Sequence, residues 1–141
     1  MAIIIDIADA VVQLLNQASF SQTVAAERRY QPIFDLSEMT DLHVSVVPRG
    51  VIRKSLDRAR DSFEYQIDIA VQQKTDMSQA ALDGLMTLVE EIADCVRKQA
   101  LTAYPDAHCT EIKNDPVYAA DHLEEFRAFT SVLTAIYRVW R

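Results

Sequence analysis

Apolar and polar positions alternate along this chain with two different periods. Ile4, Ile7, Ala8, Val11, Leu14 and Leu15 recur at helical spacing, with Asp6, Asp9, Gln13 and Asn16 between them, which predicts an amphipathic helix from about Ile5 to Gln17. Asp6 and Asp9 suit its positive N-terminal end. After a polar break at Ser19 to Thr23, Val24 to Tyr30 reads as a strand, followed by Pro32 and an acidic loop, Asp35 to Asp41. Leu42, Val44 and Val46 alternate with His43 and Ser45 before Pro48-Arg49-Gly50, which predicts a second strand that stops at a turn.

The clearest pattern follows. Phe63, Tyr65, Ile67, Ile69 and Val71 share one parity, while Ser62, Glu64, Gln66, Asp68 and Gln72 share the other, as in a strand buried on one side and wet on the other. Asp76, with Gln79 three residues on, predicts a capped helix whose stripe of Leu82, Leu85, Met86, Val89, Ile92, Ala93 and Val96 runs to about Gln99. Gly84 weakens that helix and marks a place where a neighbour could approach closely. Ala107 to Lys113 reads as a short strand, Asn114-Asp115-Pro116 as a turn, and Val117 to Glu125 as an acidic connector. A terminal strand from about Phe126 then carries Phe129, Leu133, Tyr137 and Val139 on one face and Val132, Ile136 and Trp140 on the other. Apolar bulk on both faces implies that the second is covered by a helix or buried against another subunit.

Helix, three strands, helix, two strands predicts an α+β fold: a mostly antiparallel sheet with two main helices packed on one face. A parallel nucleotide-binding sheet would need more crossover helices than two. The 141 residues, 50% of them hydrophobic, suit one domain spanning 1–141. The opening MAIIIDIADAVVQLL lacks a basic leader, and Asp6 and Asp9 interrupt an apolar run too short to span a bilayer, so a protein made in the cytoplasm with no membrane contact is expected. Cys95 and Cys109 are too few and too far apart for a metal knuckle or redox pair, and read as reduced, buried or half-buried thiols.

Charge adds one feature. The net charge is −7, which disfavours sequence-blind binding to duplex DNA. Yet Arg49, Arg53, Lys54, Arg58 and Arg60, against Asp57 and Asp61, give residues 49–61 a local +3 and leave −10 for the remainder. Such a segment is either a solvated hairpin tip or a docking surface for an acidic patch on a partner.

Candidate chemistry is sparse. With only Gly50 and Gly84, the chain has no glycine-rich phosphate cradle. His122 lies in DHLEE beside Asp121, Glu124 and Glu125, but no second ligand stands at helical spacing, so an exposed acidic connector is the simpler reading. No nucleophile signature surrounds Ser45, Ser62, Cys95 or Cys109. Phe63 and Tyr65 keep company with Ile67, Ile69 and Val71, which makes them core and not a base-stacking platform. The expectation is no enzyme, with no catalytic, metal or cofactor-binding residues and no cofactor.

Three segments carry a resemblance. AERRYQPIFDLSEM, VSVVPRG and NDPVYAADHLEEFRAFTSVLTAIYRVWR, in this order and spacing, resemble small tail-terminator or tail-completion proteins of long-tailed bacteriophages, and the likeness covers almost the whole chain. It implies an α+β subunit of the virion that forms a homo-oligomeric ring, typically six-fold, on the tail tube at the head–tail junction. That ring stops growth of the tube and offers a surface to the neck or head-completion protein, with DNA present only in passage through its lumen. The candidate interface of such a ring sets the basic Arg49, Arg53, Lys54, Arg58 and Arg60 of one subunit against an acidic surface such as Asp121, Glu124 and Glu125 of the next, and Trp140 reads either as an interface anchor or as core. A head-completion or neck connector would share the same size and lack of chemistry. A soluble, non-viral binding module is the alternative outside virion architecture.

Overall fold

The computed structural model describes residues 2–30, 41–115 and 117–141, with the side chains of His122, Glu125 and Phe126 outside that description. Most of the expected acidic loop and Pro116 of the expected turn therefore lie outside the described residues. The elements are α1 (Ile3–Gln17), β1 (Ala26–Arg28), β2 (His43–Ser55), β3 (Asp61–Lys74), α2 (Gln79–Lys98), β4 (His108–Lys113), α3 (Ala120–Phe126) and β5 (Ala128–Trp140). They form a five-stranded sheet in the order β1-β2-β3-β5-β4. Among the described residues only the β1–β2 pair is parallel. The α+β expectation holds, with α1 and α2 on one face.

Apolar parity decides which face is covered. Phe63, Tyr65, Ile67, Ile69 and Val71 of β3, with Phe129, Leu133 and Tyr137 of β5, meet Ile7, Val11 and Leu15 of α1 and Leu88, Ile92 and Val96 of α2 in one buried cluster. Each such side chain withdrawn from water contributes about 1.5–3 kcal/mol. β1 is tied to α1 by polar contacts: Arg28 Nε donates to Asp9 Oδ1 at 2.6 Å, and the Ala26 N–H donates to Asn16 Oδ1 at 2.7 Å.

Four local expectations change. β2 does not stop at Pro48 but runs on to Ser55, because the register against β3 shifts between Pro48 and Gly50 and the strand has already left β1 behind at Val46. Proline is tolerated at bulges and strand edges, and this segment is both. The cap of α2 is Ser78, whose side chain accepts from the Ala81 N–H at 3.2 Å, while Asp76 accepts from the Ser78 N–H at 2.9 Å. Of the two cap-forming residues, the one adjoining the first helical turn takes the role. A methyl group on Gly84 would find its nearest neighbour at 3.9 Å, so no close approach requires the glycine. The acidic connector contains α3, which ends at Arg127 with φ 51°, a left-handed stop.

Candidate assembly surface

Residues 47–61 form the outer part of the β2–β3 hairpin. Here β2 has β3 on one side and, among the described residues, no strand on the other. Every residue from Val51 to Arg60 is exposed. The turn is held by Asp57, whose carboxylate accepts from the backbone N–H groups of Ala59 and Arg60, both at 2.8 Å. Those two bonds, Ala59 first, hold the Asp57 carboxyl below the usual carboxylate range.

The expected basic cluster is thus divided between strand and turn. Arg49, Arg53 and Lys54 lie on β2, and Arg58 and Arg60 lie in the turn. Arg53 bonds Asp61 at 2.7 Å and stands over the Phe63 ring at 4.9 Å, with Arg141 also over that ring at 4.2 Å. Arg49 reaches Thr134 at 3.1 Å and Asp68 at 3.7 Å, and Arg60 approaches Asp57 at 3.9 Å. Among the described residues, Lys54 and Arg58 pair with no carboxylate. They are the two cations of the cluster available to a partner.

The helix-free face of the sheet is buried at one end and open at the other. Ser45, Val47, Ala70 and Thr130 are buried at the β1 end, whereas towards the hairpin Ile136 and Arg138 are half-buried and Trp140 is 58% exposed. Among the described residues neither α1 nor α2 lies over this half. Arg138 bonds Glu64 at 2.9 Å there, one of the ion pairs that keep this face polar between its apolar residues.

Asp121 and Glu124 lie exposed on α3, beside the start of β5, while Glu125 falls outside the described side chains, as does His122. The basic turn lies beyond the other end of β5, closed onto it by Asp61 and Arg141 through two backbone hydrogen bonds. Thirteen residues of strand separate the two clusters, about 40 Å. The fold does not bring them together within one subunit.

The sequence reading missed the apolar part of this surface. Val51, Ile52 and Leu56 are 52%, 43% and 53% exposed, interleaved with the cations. In the sequence Val51-Ile52 stand directly before Arg53-Lys54 with no alternation to mark a strand, after a Pro-Arg-Gly that reads as a turn. Burial pushes the thiols of Cys95 and Cys109 up, away from a reactive thiolate. Among the described residues no group of three or more His, Cys, Asp or Glu side chains could hold a metal ion, and no helix is long and apolar enough to cross a membrane.

No protein-family model matches the sequence, and no curated protein matches it. Solved structures do match. A chain of the virion of a native gene transfer agent particle superposes with a TM-score of 0.64 at 18% identity, over 95% of this chain and 94% of that one. A sheath/tube terminator of an extracellular contractile injection system, in its extended state, gives 0.46 at 12% identity over 96% of this chain and 56% of that one. This chain shares its fold, nearly end to end, with a component of a gene transfer agent virion.

Proposed function

We propose that this chain is a structural, non-enzymatic virion subunit, a one-domain tail terminator. Six copies form a ring at the head–tail junction, cap the tail tube, end its polymerisation and present a docking surface to the neck or head-completion protein. The observation that carries this reading is the fold shared with a gene transfer agent virion chain over 95% of the sequence. The resemblance of three sequence segments to tail terminators supports it independently.

In this reading the ring's axial partners meet its two rims. Arg58, Arg60, Lys54 and Trp140 lie at one rim, and Asp121, Glu124 and Glu125 at the other. The unpaired cations face a protein partner, because a ring of such residues lining the lumen would grip passing DNA. On the open sheet face Arg49 and Arg138 are each beside a carboxylate, while Lys54 and Lys113 share that face by register and, among the described residues, pair with none. DNA is present only in passage, the subunit is made in the host bacterial cytoplasm, and no cofactor takes part.

Electron microscopy of particles made without this gene tests the proposal. Overlong tubes, or tails without a finished head-proximal end, are expected. Normal, capped tails beside DNA-leaking heads would move the protein to the neck, and fully assembled infectious particles would overturn the reading.

A further inference from the structure

The sheet has two outer edges at the level of the hairpin, and they match. Outside β2 the edge is uncovered among the described residues from Val47 to Ser55. On the far side β4, as the last strand, presents its own outer edge. Their levels follow from the register. His108 pairs with Arg138, which pairs with Glu64, which pairs with Ile52; Lys113 likewise leads through Thr134 and Asp68 to Val47. The six residues of β4 therefore stand level with the segment of β2 that β1 leaves bare.

Direction matches as well. β2, β3, β5 and β4 alternate strictly, so a copy rotated about an axis parallel to the strands would bring its β4 antiparallel against β2, continuing the alternation. Charge is complementary: Arg49, Arg53 and Lys54 line one edge, while Glu111 on β4 stands level with Gly50 and Asp106 lies two residues before β4, towards the level of Lys54. β4 also carries Lys113. The exposed, apolar Val51 and Ile52 make the bare β2 edge a surface that would otherwise invite indiscriminate strand pairing.

We infer that neighbouring subunits join edge to edge, the outer edge of β2 (Val47–Ser55) of one copy pairing antiparallel with β4 (His108–Lys113) of the next, so that the sheets run on from subunit to subunit. The inference rests on the ring reading above and names the contact that builds the ring. Six such sheets, each contributing β2, β3, β5 and β4 at the level of the contact, give roughly 24 strands at about 4.8 Å, hence a wall roughly 37 Å across before strand tilt widens it. Edge pairing excludes, in the same ring, an end-to-end contact of the basic turn on α3, because those clusters lie at opposite ends of the strands.

Disulfide trapping tests the contact in the full chain. Ile52→Cys and His108→Cys are combined in a background with Cys95→Ala and Cys109→Ala, and a parallel protein carries Arg58→Cys with Glu124→Cys. Native mass spectrometry first establishes whether each background chain and the unmodified chain form rings. On mild oxidation the 52/108 protein is expected to give a covalent ladder up to the full ring, with each single variant and the 58/124 protein forming none. Amide hydrogens of residues 47–55 and 108–113 in the unmodified chain are expected to exchange at least about tenfold more slowly in the ring than in diluted monomer. A ring that traps 58/124, or one that traps neither pair and leaves both edges unprotected, overturns edge pairing while sparing the ring. A chain that remains monomeric when concentrated overturns both.

Discussion

β2 contains two unlike halves. From Val44 to Val46 it is hydrogen-bonded to β1 on one side and β3 on the other, and its side chains are buried. From Val51 to Ser55 it has, among the described residues, β3 alone, and every side chain is exposed. Both halves are rich in β-branched residues, so strand propensity does not distinguish them. Their surroundings do: the first half lies within the sheet and its core, and the second carries cations and apolar side chains beyond it. One half specifies the monomer, and the other is free to specify assembly.

The largest expected contrast comes from truncation at the level of each half. Ile69, paired with Val46 and fully buried, should cost about 2–5 kcal/mol when replaced by alanine, seen as a lower midpoint in urea unfolding. Ile52→Ala, in the outer half, should move that midpoint by less than about 0.5 kcal/mol and weaken ring formation instead. Equal losses of stability would mean that the outer half belongs to the core after all. Next in size is the charge reversal Arg53→Glu, Lys54→Glu and Arg58→Glu, expected to weaken self-assembly or tube capping at least about a hundredfold while the monomer still folds. Since Arg53 covers Phe63, circular dichroism and an unfolding curve must accompany the assembly measurement. Unchanged assembly would remove the hairpin from the interface.

A smaller effect of opposite sign is expected in α2, away from both halves. Gly84→Ala places a methyl where the nearest side-chain atom is 3.9 Å away and should stabilise α2 by about 1 kcal/mol without altering assembly. Destabilisation would mean that a neighbour closes on that position in solution.

The halves also differ in how legible they were. β3 and the core faces of α1, α2 and β5 were readable because burial imposes a period on the apolar residues, and one period admits one element. β2 beyond Val46 was not, since Pro48 and Gly50 are ordinary turn residues and only the register against β3 reveals that a bulge absorbs them. α3 was missed because seven residues of mixed polarity carry too little periodicity. Of the candidate surface, the composition showed the cations but not their division between strand and turn, nor the exposed Val51, Ile52 and Leu56. Exposure is a property of the sheet's edge, and strand order is invisible in a local pattern.

The smallest expected effect concerns the turn that ends the exposed half. Asp57 accepts from the backbone of Ala59 and Arg60, and these bonds favour its charged form, so its pKa in the folded chain lies below the unfolded value of about 3.9. A carboxylate shifted this way contributes order that is fully present above the unfolded pKa and is lost only as pH falls through the lower, folded value. The turn should therefore be unchanged from neutral pH down to about 5 and loosen in stronger acid, with the Asp57 carboxyl resonance titrating below that of a free aspartate. Asp57→Ala should speed exchange of the Ala59 and Arg60 amides at neutral pH yet leave the urea midpoint in place, because the side chain lies at an exposed turn. A titration at the ordinary aspartate position would show that the turn is already open in solution. Arg58 and Arg60 would then reach a partner from a flexible loop, and the assembly surface would begin at Ser55, where the strand ends.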